Sequence, residues 1–473
     1  MMPQRMVTKE RFSSDSLRRP YTTEALAASA VMLVFLTLAG LLPAQNDTWW
    51  HLATGRAIVQ DGAIRLVDQF SWTFKGNYWP NHEWLSHVLF FAAYTLGGMP
   101  LLTAGGALLA AATVSLVWHS LVGPYLLRCI VLIFPGFLIM VGWSLRPQLF
   151  TLCATALTIR LLINQRYQCL PPLFVLWANL HGAVALGLLV LSAACVEALL
   201  HSRERLSRVA VWSGLSLLGT LCTPLGFSLF RDVFLSIRRP DYAYVAEWQP
   251  AGTEPWSGAV FVVAASLALL GFKHRRSLDD RDRLLAYAVL ALMPLAFRYS
   301  RNIPVFAIAA TPLLNSLVLH TDGVASLFRS GRPRQRPFTR TVLVAAALAA
   351  FLVSYAWTIG LSRLGWEPVG PAAADAIRAC GQPMYNHFDN GGPLIWFVPE
   401  QPVFVDSRQH PYPAEFIVNH FKVEDSGVYG PLFSRYGIRC AVLPPHSKVA
   451  HALVRDGWRV TYKDGGSVIA VPP

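Results

Sequence analysis

The chain has 473 residues, of which 54% are apolar and 14% are charged, and its formal net charge is +13. Soluble domains are usually about one quarter charged, so this composition excludes a purely water-soluble fold. The basic residues cluster in short stretches between long apolar runs, which is typical of cytoplasmic loops of a membrane protein and disfavours nucleic-acid binding. These stretches are residues 11–19, 203–208, 273–283 and 329–340.

Residues 1–22 form a polar, basic tail without the pattern of a cleavable signal peptide. The first apolar run is long enough to span a bilayer, so it is predicted to act as a signal anchor with the tail in the cytoplasm. Residues 23–360 are predicted to form a multi-span membrane domain. The candidate spans are residues 25–44, 84–98, 101–118, 125–143, 148–163, 183–200, 209–227, 256–272, 284–297, 303–319 and 341–360.

The number of spans stays open between two readings, so we expect about 11–13. In the first reading, residues 170–200 form one bent span and the count is eleven. In the second, which we favour, the short run 170–178 crosses separately. Another break is then needed, and Pro135-Gly136 would split 125–143 because this dipeptide is a strong helix breaker.

The favoured reading also separates the polar residues between the spans. It places Arg160 and Arg166 on the cytoplasmic side, and Arg146 and His181 outside. The last span then leaves the C-terminal region outside as well. The sequence therefore predicts a multi-pass protein of a bacterial inner membrane with an extracytoplasmic C-terminal domain.

The loop 45–83 is predicted to lie outside and to begin with a surface helix. Asn46 is a good N-cap, residues 47–61 have helical spacing, and Gly62 is a good C-terminal stop. Residues 67–74 then alternate like a short strand. An apolar side rich in tryptophan is typical of a helix lying on a membrane surface. That side consists of Trp49, Trp50, Ala53, Ala57 and Ile58.

Residues 361–473 differ from the membrane domain because their apolar runs are short and alternate with helical stretches. This pattern predicts a small extracytoplasmic α/β domain. The apolar runs are 403–405, 440–443 and 468–471, and the helical stretches are 372–379, 414–421, 429–436 and 449–455. Cys380 and Cys440 lie in this domain and could pair in an oxidising compartment. Two separate thiols are the open alternative.

Three polar residues lie at the two ends of the predicted outer loop 45–83. Asp47 follows the first span, and His82 and Glu83 precede the second. Consecutive antiparallel helices are normally neighbours, so these side chains are expected close together as catalytic candidates. Such a group could supply a general base or bind a divalent cation through oxygen ligands. The ordinary alternative is that Asp47 complements the helix dipole and that His82 and Glu83 are polar interface residues.

Arginines on the outer side are candidates for binding a phosphate. Arg298 and Arg301 lie between two predicted spans on that side, and Arg146 is predicted to join them. Guanidinium groups bind phosphate oxygens through a planar fork of donors, as the phosphate head of a lipid carrier would require. Snorkelling arginines at helix ends are the alternative.

Four further residues are site candidates: His51, His181, Asp406 and Arg408. His181 lies at a break between apolar runs, where polar residues often mark functional cavities. Asp406 and Arg408 follow the apolar run 403–405, and sites form at the carboxyl ends of strands in α/β units. An internal salt bridge between Asp406 and Arg408 is the alternative.

Several motifs carry a family resemblance. The segment Asn-Asp-Thr-Trp-Trp-His-Leu-Ala-Thr-Gly-Arg (46–56) resembles the first outer loop of bacterial multi-spanning proteins in the C-type glycosyltransferase superfamily. Asp-Gln-Phe-Ser-Trp-Thr (68–73) and Asn-His-Glu-Trp-Leu (81–85) fit the same loop. Further matching motifs are Trp-Ala-Asn-Leu-His-Gly (177–182), Tyr-Asn-His-Phe-Asp-Asn-Gly-Gly-Pro-Leu-Ile-Trp (385–396) and Phe-Val-Asp-Ser-Arg (404–408).

The resemblance implies a membrane enzyme that takes a sugar from a polyprenyl-phosphate donor on the outer face. The hallmark acidic residue of the first outer loop corresponds to Asp47. Several members carry a paired acidic motif, whereas this chain has Asn46 before Asp47, so a divalent cation, at Asp47 if anywhere, stays an open cofactor. The implied partners are a lipid-linked sugar donor, membrane lipids and an unidentified acceptor.

Two other function classes stay open. The chain could be a transporter or flippase of lipid-linked glycans, or a non-catalytic membrane assembly partner. Transporters tend to carry broken spans and ionisable residues near the bilayer midplane. Here the polar residues lie at the outer ends of predicted spans, which favours a reaction at the membrane surface.

Overall fold

The computed structural model describes residues 20–321, 323, 339–358 and 364–473. Most of the predicted basic tail 1–22 lies outside the described residues. The basic linker 329–340 also lies outside them, except for its last two positions. Of the four basic stretches, residues 203–208 and 273–283 are therefore the ones whose position indicates the orientation of the chain.

The described chain folds into a helical body and a small C-terminal sheet domain. The body begins with α1 (Pro20–Ala39), α2 (Asn46–Asp61), α3 (Trp84–Trp118), α4 (Tyr125–Met140), α5 (Gln148–Ile163), α6 (Leu170–Leu180) and α7 (Val184–His201). It continues with α8 (Arg203–Gly219), α9 (Ser228–Ser236), α10 (Ala259–His274), α11 (Asp280–Arg298), α12 (Ile303–Leu319) and α13 (Thr339–Thr358). Short 3-10 turns lie at Tyr167–Cys169, Pro240–Tyr244, Ala246–Trp248, Pro255–Gly258 and Ser300–Asn302.

Four described segments are long and apolar enough to cross a membrane: Trp84–Trp118, Val184–His201, Trp256–His274 and Ser300–Leu319. Shorter apolar helices accompany them at Leu26–Ala39, Tyr125–Met140, Gln148–Ile163 and Val344–Thr358. Large apolar side chains are exposed on the outside of the body, as lipid-facing surfaces require. Examples are Leu108, Leu218, Leu269 and Phe272. The predicted class, a polytopic helical membrane protein with a small C-terminal domain, is confirmed.

Helix α3 is interrupted where the sequence predicted a boundary between two spans. Gly97 and Gly98 have non-helical backbone angles, and the φ of 63° at Gly98 is one that glycine adopts without steric cost. Before this break, α3 lies along α2. The approach is so close that a Cβ atom on Gly55 would lie 2.1 Å from the carbonyl oxygen of His87.

The part of α3 after the break starts near the beginning of α2. A side chain on Gly106 would contact Leu42 and Leu145, and the amide of Leu145 donates to the carbonyl of Pro43 at 3.0 Å. Residues 84–98 therefore run beside α2 rather than across the body. The prediction that they form a span of their own is wrong, because two glycines allow the chain to change direction there.

Residues 170–180 form a helix of their own, α6, as the favoured reading of the span count predicted. Helix α6 has eleven residues and ends at the extended residue His181, before α7. The predicted split at Pro135-Gly136 is wrong, since α4 continues through Pro135. Proline is tolerated in membrane helices when neighbouring groups satisfy the freed carbonyl.

The helix ends define two faces of the body. Arg146 and His181 lie at the face where α2 begins, which we call the α2 face. Arg160 lies at the opposite face, where its guanidinium bonds the carbonyl of His119. The described basic stretches 203–208 and 273–283 also meet at that opposite face, with Arg205 3.4 Å from Asp280.

The first half of helix α2 is buried within the protein. It begins after Gln45, one residue earlier than the predicted cap, and ends at Gly62 in the left-handed conformation, as predicted. Trp49 packs on Phe397 of the sheet domain, with ring centres 4.7 Å apart. The expectation that this apolar side lies on the membrane surface is wrong, because α3 and the sheet domain cover it.

The sheet domain has four strands in the order β1-β2-β4-β3, with β1 and β2 parallel and the other pairs antiparallel. The strands are β1 (Met384–Asn386), β2 (Cys440–Leu443), β3 (Arg459–Lys463) and β4 (Val468–Val471). The helices are α14 (Pro371–Cys380), α15 (Gly391–Phe397), α16 (Ala414–Ser426), α17 (Gly430–Tyr436) and α18 (Lys448–Arg455). All four predicted helical stretches and two of the three predicted strands are found.

The predicted strand 403–405 is buried but makes only one isolated bridge, from Val403 to Ser71 in the first loop. The predicted strand-like segment 67–74 also forms only isolated bridges. The two extended segments therefore meet each other instead of joining the sheet. Cys380 and Cys440 form a disulfide, which settles the choice between a pair and two thiols.

Candidate functional site

A cavity of about 820 Å³ lies between the helical body and the sheet domain at the α2 face. Its walls come from the start of α2, the segment before α3, the α4–α5 loop, the turns between α9 and α10, and the start of α12. The sheet domain contributes Phe388, Asp389, residues 407–410 and Phe421. Eight of the residues predicted as site candidates line it: Asp47, His51, His82, Glu83, Arg146, His181, Arg301 and Arg408.

Four charged side chains of alternating sign form a row on one wall: Asp47, Arg146, Glu247 and Arg301. Arg146 Nη1 lies 3.0 Å from Asp47 Oδ2, and Arg146 Nη2 lies 2.8 Å from Glu247 Oε2. Arg301 Nη1 lies 3.2 Å from the other oxygen of Glu247, and its guanidinium lies 4.3 Å from the ring centre of Trp248. A single carboxylate thus holds two guanidinium groups next to each other.

Glu247 and Arg146, the two central members of the row, are ionised at neutral pH. Burial would raise the pKa of Glu247, but the charges of Arg146 and Arg301 outweigh burial and lower it to about 2. Burial would likewise lower the pKa of Arg146, but Glu247 and Asp47 raise it. The wall therefore presents fixed charges of both signs to the cavity.

The Asp47 carboxylate already has three donors. Besides the bond from Arg146, its Oδ1 accepts from the Trp50 indole at 3.2 Å and from the Ser407 hydroxyl. Its place in the first turn of α2 also favours a negative charge, because the helix dipole is positive there. A divalent cation needs several oxygen ligands. The groups around Asp47 do not fit one, since a guanidinium already lies against the carboxylate.

Four histidines surround Glu83 on the adjoining wall: His51, His82, His87 and His181. Glu83 Oε1 lies 3.2 Å from His181 Nε2 and 3.5 Å from His82 Nε2. Its Oε2 lies 3.8 Å from His51 Nδ1, and that atom lies 3.0 Å from His87 Nδ1. Asp47 therefore belongs to the charged row, and His82 and Glu83 belong to the adjacent histidine cluster. Both groups line the same cavity.

The groups of this second cluster differ in charge. Burial lowers the pKa of His51 to about 3 and that of His181 to about 4, so both are neutral at pH 7. Burial would also lower the pKa of His82, but its hydrogen bond to Glu83 raises it. Burial would raise the pKa of Glu83, but the bond from His82 and the other histidines hold it well below its usual range.

His181 is oriented by residues behind it. Trp177 Nε1 donates to Thr151 Oγ1 at 2.9 Å, and Thr151 Oγ1 lies 2.7 Å from His181 Nδ1. The ionised Glu83 carboxylate can only accept, so the neutral imidazole donates to it from Nε2 and accepts the Thr151 proton at Nδ1, while the threonine oxygen accepts from the indole. The proton of the neutral imidazole is then on Nε2 and points at Glu83.

Asp406 and Arg408 form a buried ion pair rather than an open binding group. Arg408 Nη2 lies 2.7 Å from Asp406 Oδ2 and 2.6 Å from Asp68 Oδ1, and the Tyr412 hydroxyl donates to Asp406 at 2.6 Å. The side chains of Arg408, Asp68 and Asp406 are shielded from solvent. Because Asp68 belongs to the first loop, this pair fastens the loop to the sheet domain.

Replacing Arg408 with methionine is expected to destabilise the protein strongly. The change leaves the carboxylates of Asp68 and Asp406 buried without a cation, and breaking a buried pair in this way costs about 3–5 kcal/mol. The melting temperature of the purified protein measures the effect. Arg455→Ala is the matched control, because that arginine pairs with Asp456 at an exposed site, where such pairs contribute about 0–1 kcal/mol. Equal melting temperatures for the two variants would contradict the fastening role.

The arginines predicted to bind phosphate separate into two groups. Arg146 and Arg301 lie on the cavity wall. Arg298 does not: it is exposed, and its guanidinium lies 4.7 Å from the ring centre of Tyr299. The snorkelling alternative therefore describes the placement of Arg298, and only Arg146 and Arg301 remain candidates for binding a phosphate.

Several residues of the cavity were not predicted from the sequence, notably Glu247, His87, Ser407 and Asp389. Glu247 lies in the loop between α9 and α10, and an acidic residue beside Trp248 in an outer loop was an available signal. His87 follows Glu83 by four positions, a spacing that places both on one helix face. Ser407 lies inside a quoted motif but carries no charge that would mark it.

Known structures provide a fold comparison. The oligosaccharyltransferase of Archaeoglobus fulgidus in its apo form aligns with a TM-score of 0.54 and 12% identity, over 91% of this chain and 70% of that chain. The same archaeal enzyme in complex with an inhibitory peptide and a dolichol-phosphate aligns with a TM-score of 0.53 and 12% identity. This alignment covers 88% of this chain and 69% of that chain. ArnT from Cupriavidus metallidurans bound to undecaprenyl phosphate aligns with a TM-score of 0.47 and 13% identity, over 96% of this chain and 98% of that chain.

No family model and no curated protein matches the sequence. At 12% identity, the likeness to the archaeal enzyme concerns the fold alone. The shared fold is the one that the motif resemblance led us to expect. The chain is thus a multi-pass membrane protein that shares the fold of this archaeal enzyme.

Proposed function

We propose that the chain is a membrane glycosyltransferase that moves a sugar from a polyprenyl-phosphate donor to an acceptor on the extracytoplasmic face. The observation that carries this proposal is the row of charges formed by Asp47, Arg146, Glu247 and Arg301 on the wall of a large cavity. A carboxylate and two cationic phosphate ligands within one cavity meet the two needs of sugar transfer. The dolichol-phosphate held by the archaeal oligosaccharyltransferase of similar fold supports a lipid donor of this type.

In the proposed reaction, a nucleophilic group of the acceptor loses its proton to a carboxylate, Asp47 in this assignment, and attacks the anomeric carbon. The bond between that carbon and the phosphate oxygen breaks, and the polyprenyl phosphate leaves with the electron pair. The phosphate gains one negative charge as it leaves. Arg301 and Arg146 would stabilise that charge, which is the usual role of cations placed where charge develops.

Glu247 occupies the position between the two guanidinium groups where a phosphate would bind. Its carboxylate is 2.8 Å from Arg146 and 3.2 Å from Arg301. A donor phosphate would take over at least one of these bonds, and the other would keep the second arginine in place. Glu247 therefore keeps the two arginines close together when no donor is bound.

The α2 face is proposed to be extracytoplasmic. The described basic stretches 203–208 and 273–283 lie at the opposite face, and such stretches favour the cytoplasm. The sheet domain at the α2 face holds the disulfide Cys380–Cys440, and disulfides persist in oxidising compartments. Both observations support a bacterial inner-membrane protein with its N-terminus inside and its C-terminal domain outside.

Labelling of introduced cysteines tests this orientation. Gln60 at the end of α2 and Lys463 in β3 are both exposed, so cysteines at these positions are accessible to a thiol reagent. In intact cells stripped of their outer membrane, an impermeant reagent is expected to label both positions. A cysteine at Arg276, on the opposite face, is the control and should react only after lysis. Protection of position 463 until lysis would contradict the orientation.

A map of the protein with undecaprenyl phosphate bound tests the proposed site. The expected result is a phosphate head in the cavity within bonding distance of Arg146 or Arg301 and beside Asp47. A head bound on the opposite face, or at mid-membrane between helices, would contradict the proposal. The second position would instead favour a translocation path, as a flippase requires.

A further inference from the structure

Three side chains in the cavity present metal-binding atoms to one another. The Nδ1 atoms of His51 and His87 and a carboxylate oxygen of Glu83 all lie within 4.8 Å of one another. The two nitrogens are 3.0 Å apart, and Glu83 Oε2 is 3.8 Å from His51 Nδ1. Both histidines are buried, and all three residues line the cavity.

The backbone places these atoms together. Glu83 and His87 are four residues apart, and the His87 amide donates to the Glu83 carbonyl at 3.1 Å, so both side chains lie on one face of the first turn of α3. His51 reaches them from α2. The absence of a side chain at Gly55 allows α2 to approach the backbone of His87, since a Cβ there would lie 2.1 Å from the carbonyl oxygen.

The distances suit a small divalent ion. Zinc binds imidazole nitrogens at about 2.0–2.1 Å in tetrahedral geometry, so neighbouring ligand atoms are separated by roughly 3.3 Å. The observed separations of 3.0 Å and 3.8 Å lie on either side of that value. Two imidazoles and one carboxylate are a ligand set of catalytic zinc sites, which keep a fourth position open.

We propose that His51, Glu83 and His87 form a zinc site whose open position faces the cavity. The second oxygen of Glu83 lies 3.2 Å from His181 Nε2, and such outer bonds fix a ligating carboxylate in place. The set of two nitrogens and one oxygen favours zinc over calcium or magnesium, which prefer oxygen alone. The site is separate from Asp47, whose neighbour is a guanidinium, and zinc binding does not depend on sugar transfer.

Zinc binding by the full-length protein tests the proposal. The chain is purified in detergent with a tag that lacks histidine, stripped with a chelator and titrated with Zn²⁺ alone. One zinc per chain is expected, with zinc–nitrogen and zinc–oxygen distances of about 2.0–2.1 Å and an imidazole signature in X-ray absorption. Bound zinc should also raise the melting temperature, because it binds only the folded state.

Variants identify the ligands. His87→Gln is expected to weaken zinc binding by about 100-fold or more, since even residues behind a metal ligand contribute about 10–100-fold. Glu83→Gln is the second variant and decides the question if the first does not fold. His420→Gln is the control, because His420 is equally buried but bonds Tyr385 in the sheet domain. Zinc binding by both ligand variants at the wild-type level, or no stoichiometric zinc in the wild type, would overturn the site.

Discussion

Asp47→Asn is expected to abolish sugar transfer while leaving the fold intact. Loss of a catalytic base typically lowers the rate by about 10²–10⁴. Asparagine keeps the shape of the side chain, and Arg146 keeps its second partner Glu247 at 2.8 Å, so the melting temperature should change little. Transfer from a polyprenyl-phosphate sugar, measured beside thermal unfolding, separates the loss of chemistry from the loss of structure.

A second acid on the same helix provides the control. Asp61 ends α2, is exposed and pairs with Arg65 away from the cavity, so Asp61→Asn should transfer sugar at the wild-type rate. If Asp47 served only to complement the helix dipole, its replacement would cost about 0.3–1 kcal/mol of stability and no activity. An active Asp47→Asn variant would therefore remove Asp47 from the proposed reaction.

Arg301→Ala is expected to lower kcat/KM by about 10²–10³. This range is typical when a donor that stabilises charge in the transition state is removed. Donor binding should also weaken, and the remaining binding should depend less on salt, because one exposed charge attraction is gone. Lysine keeps the charge but not the planar fork, so Arg301→Lys should recover only part of the activity.

Arg298 is the matched control for this prediction. It lies three residues away, is exposed and does not line the cavity. Surface substitutions usually change free energies by less than about 0.5 kcal/mol, so Arg298→Ala should behave like the wild type. If Arg298→Ala lost as much activity as Arg301→Ala, phosphate binding at the cavity wall would not explain the effect.

The membrane class of the fold could be predicted because long apolar runs and basic loops are read directly from the sequence. The course of α3 could not, because residues 84–98 are as apolar as a span. The deciding features were two glycines that turn the chain and the packing of α2 against His87. Likewise, Trp49 and Trp50 mark an apolar side of α2. Hydropathy alone does not tell whether lipid or a neighbouring domain covers that side.

The site could be predicted where charged residues stand next to apolar runs, as Asp47, Glu83 and Arg146 do. Their partners come from distant parts of the chain. Glu247 joins Arg146 only because α5, α12 and the turns before α10 converge at one face. Pairings of this kind depend on tertiary packing, which spacing along one segment does not encode.

Release of the lipid phosphate is the most direct test of sugar transfer. In vesicles of defined lipid, the purified protein receives a polyprenyl-phosphate sugar labelled on both the sugar and the lipid, together with an extract of envelope acceptors. We expect free polyprenyl phosphate to appear as the labelled sugar moves to an acceptor, and we expect neither product with Asp47→Asn. Movement of the intact lipid-linked sugar across the bilayer, with its glycosyl–phosphate bond unbroken, would contradict the transferase and identify a flippase instead.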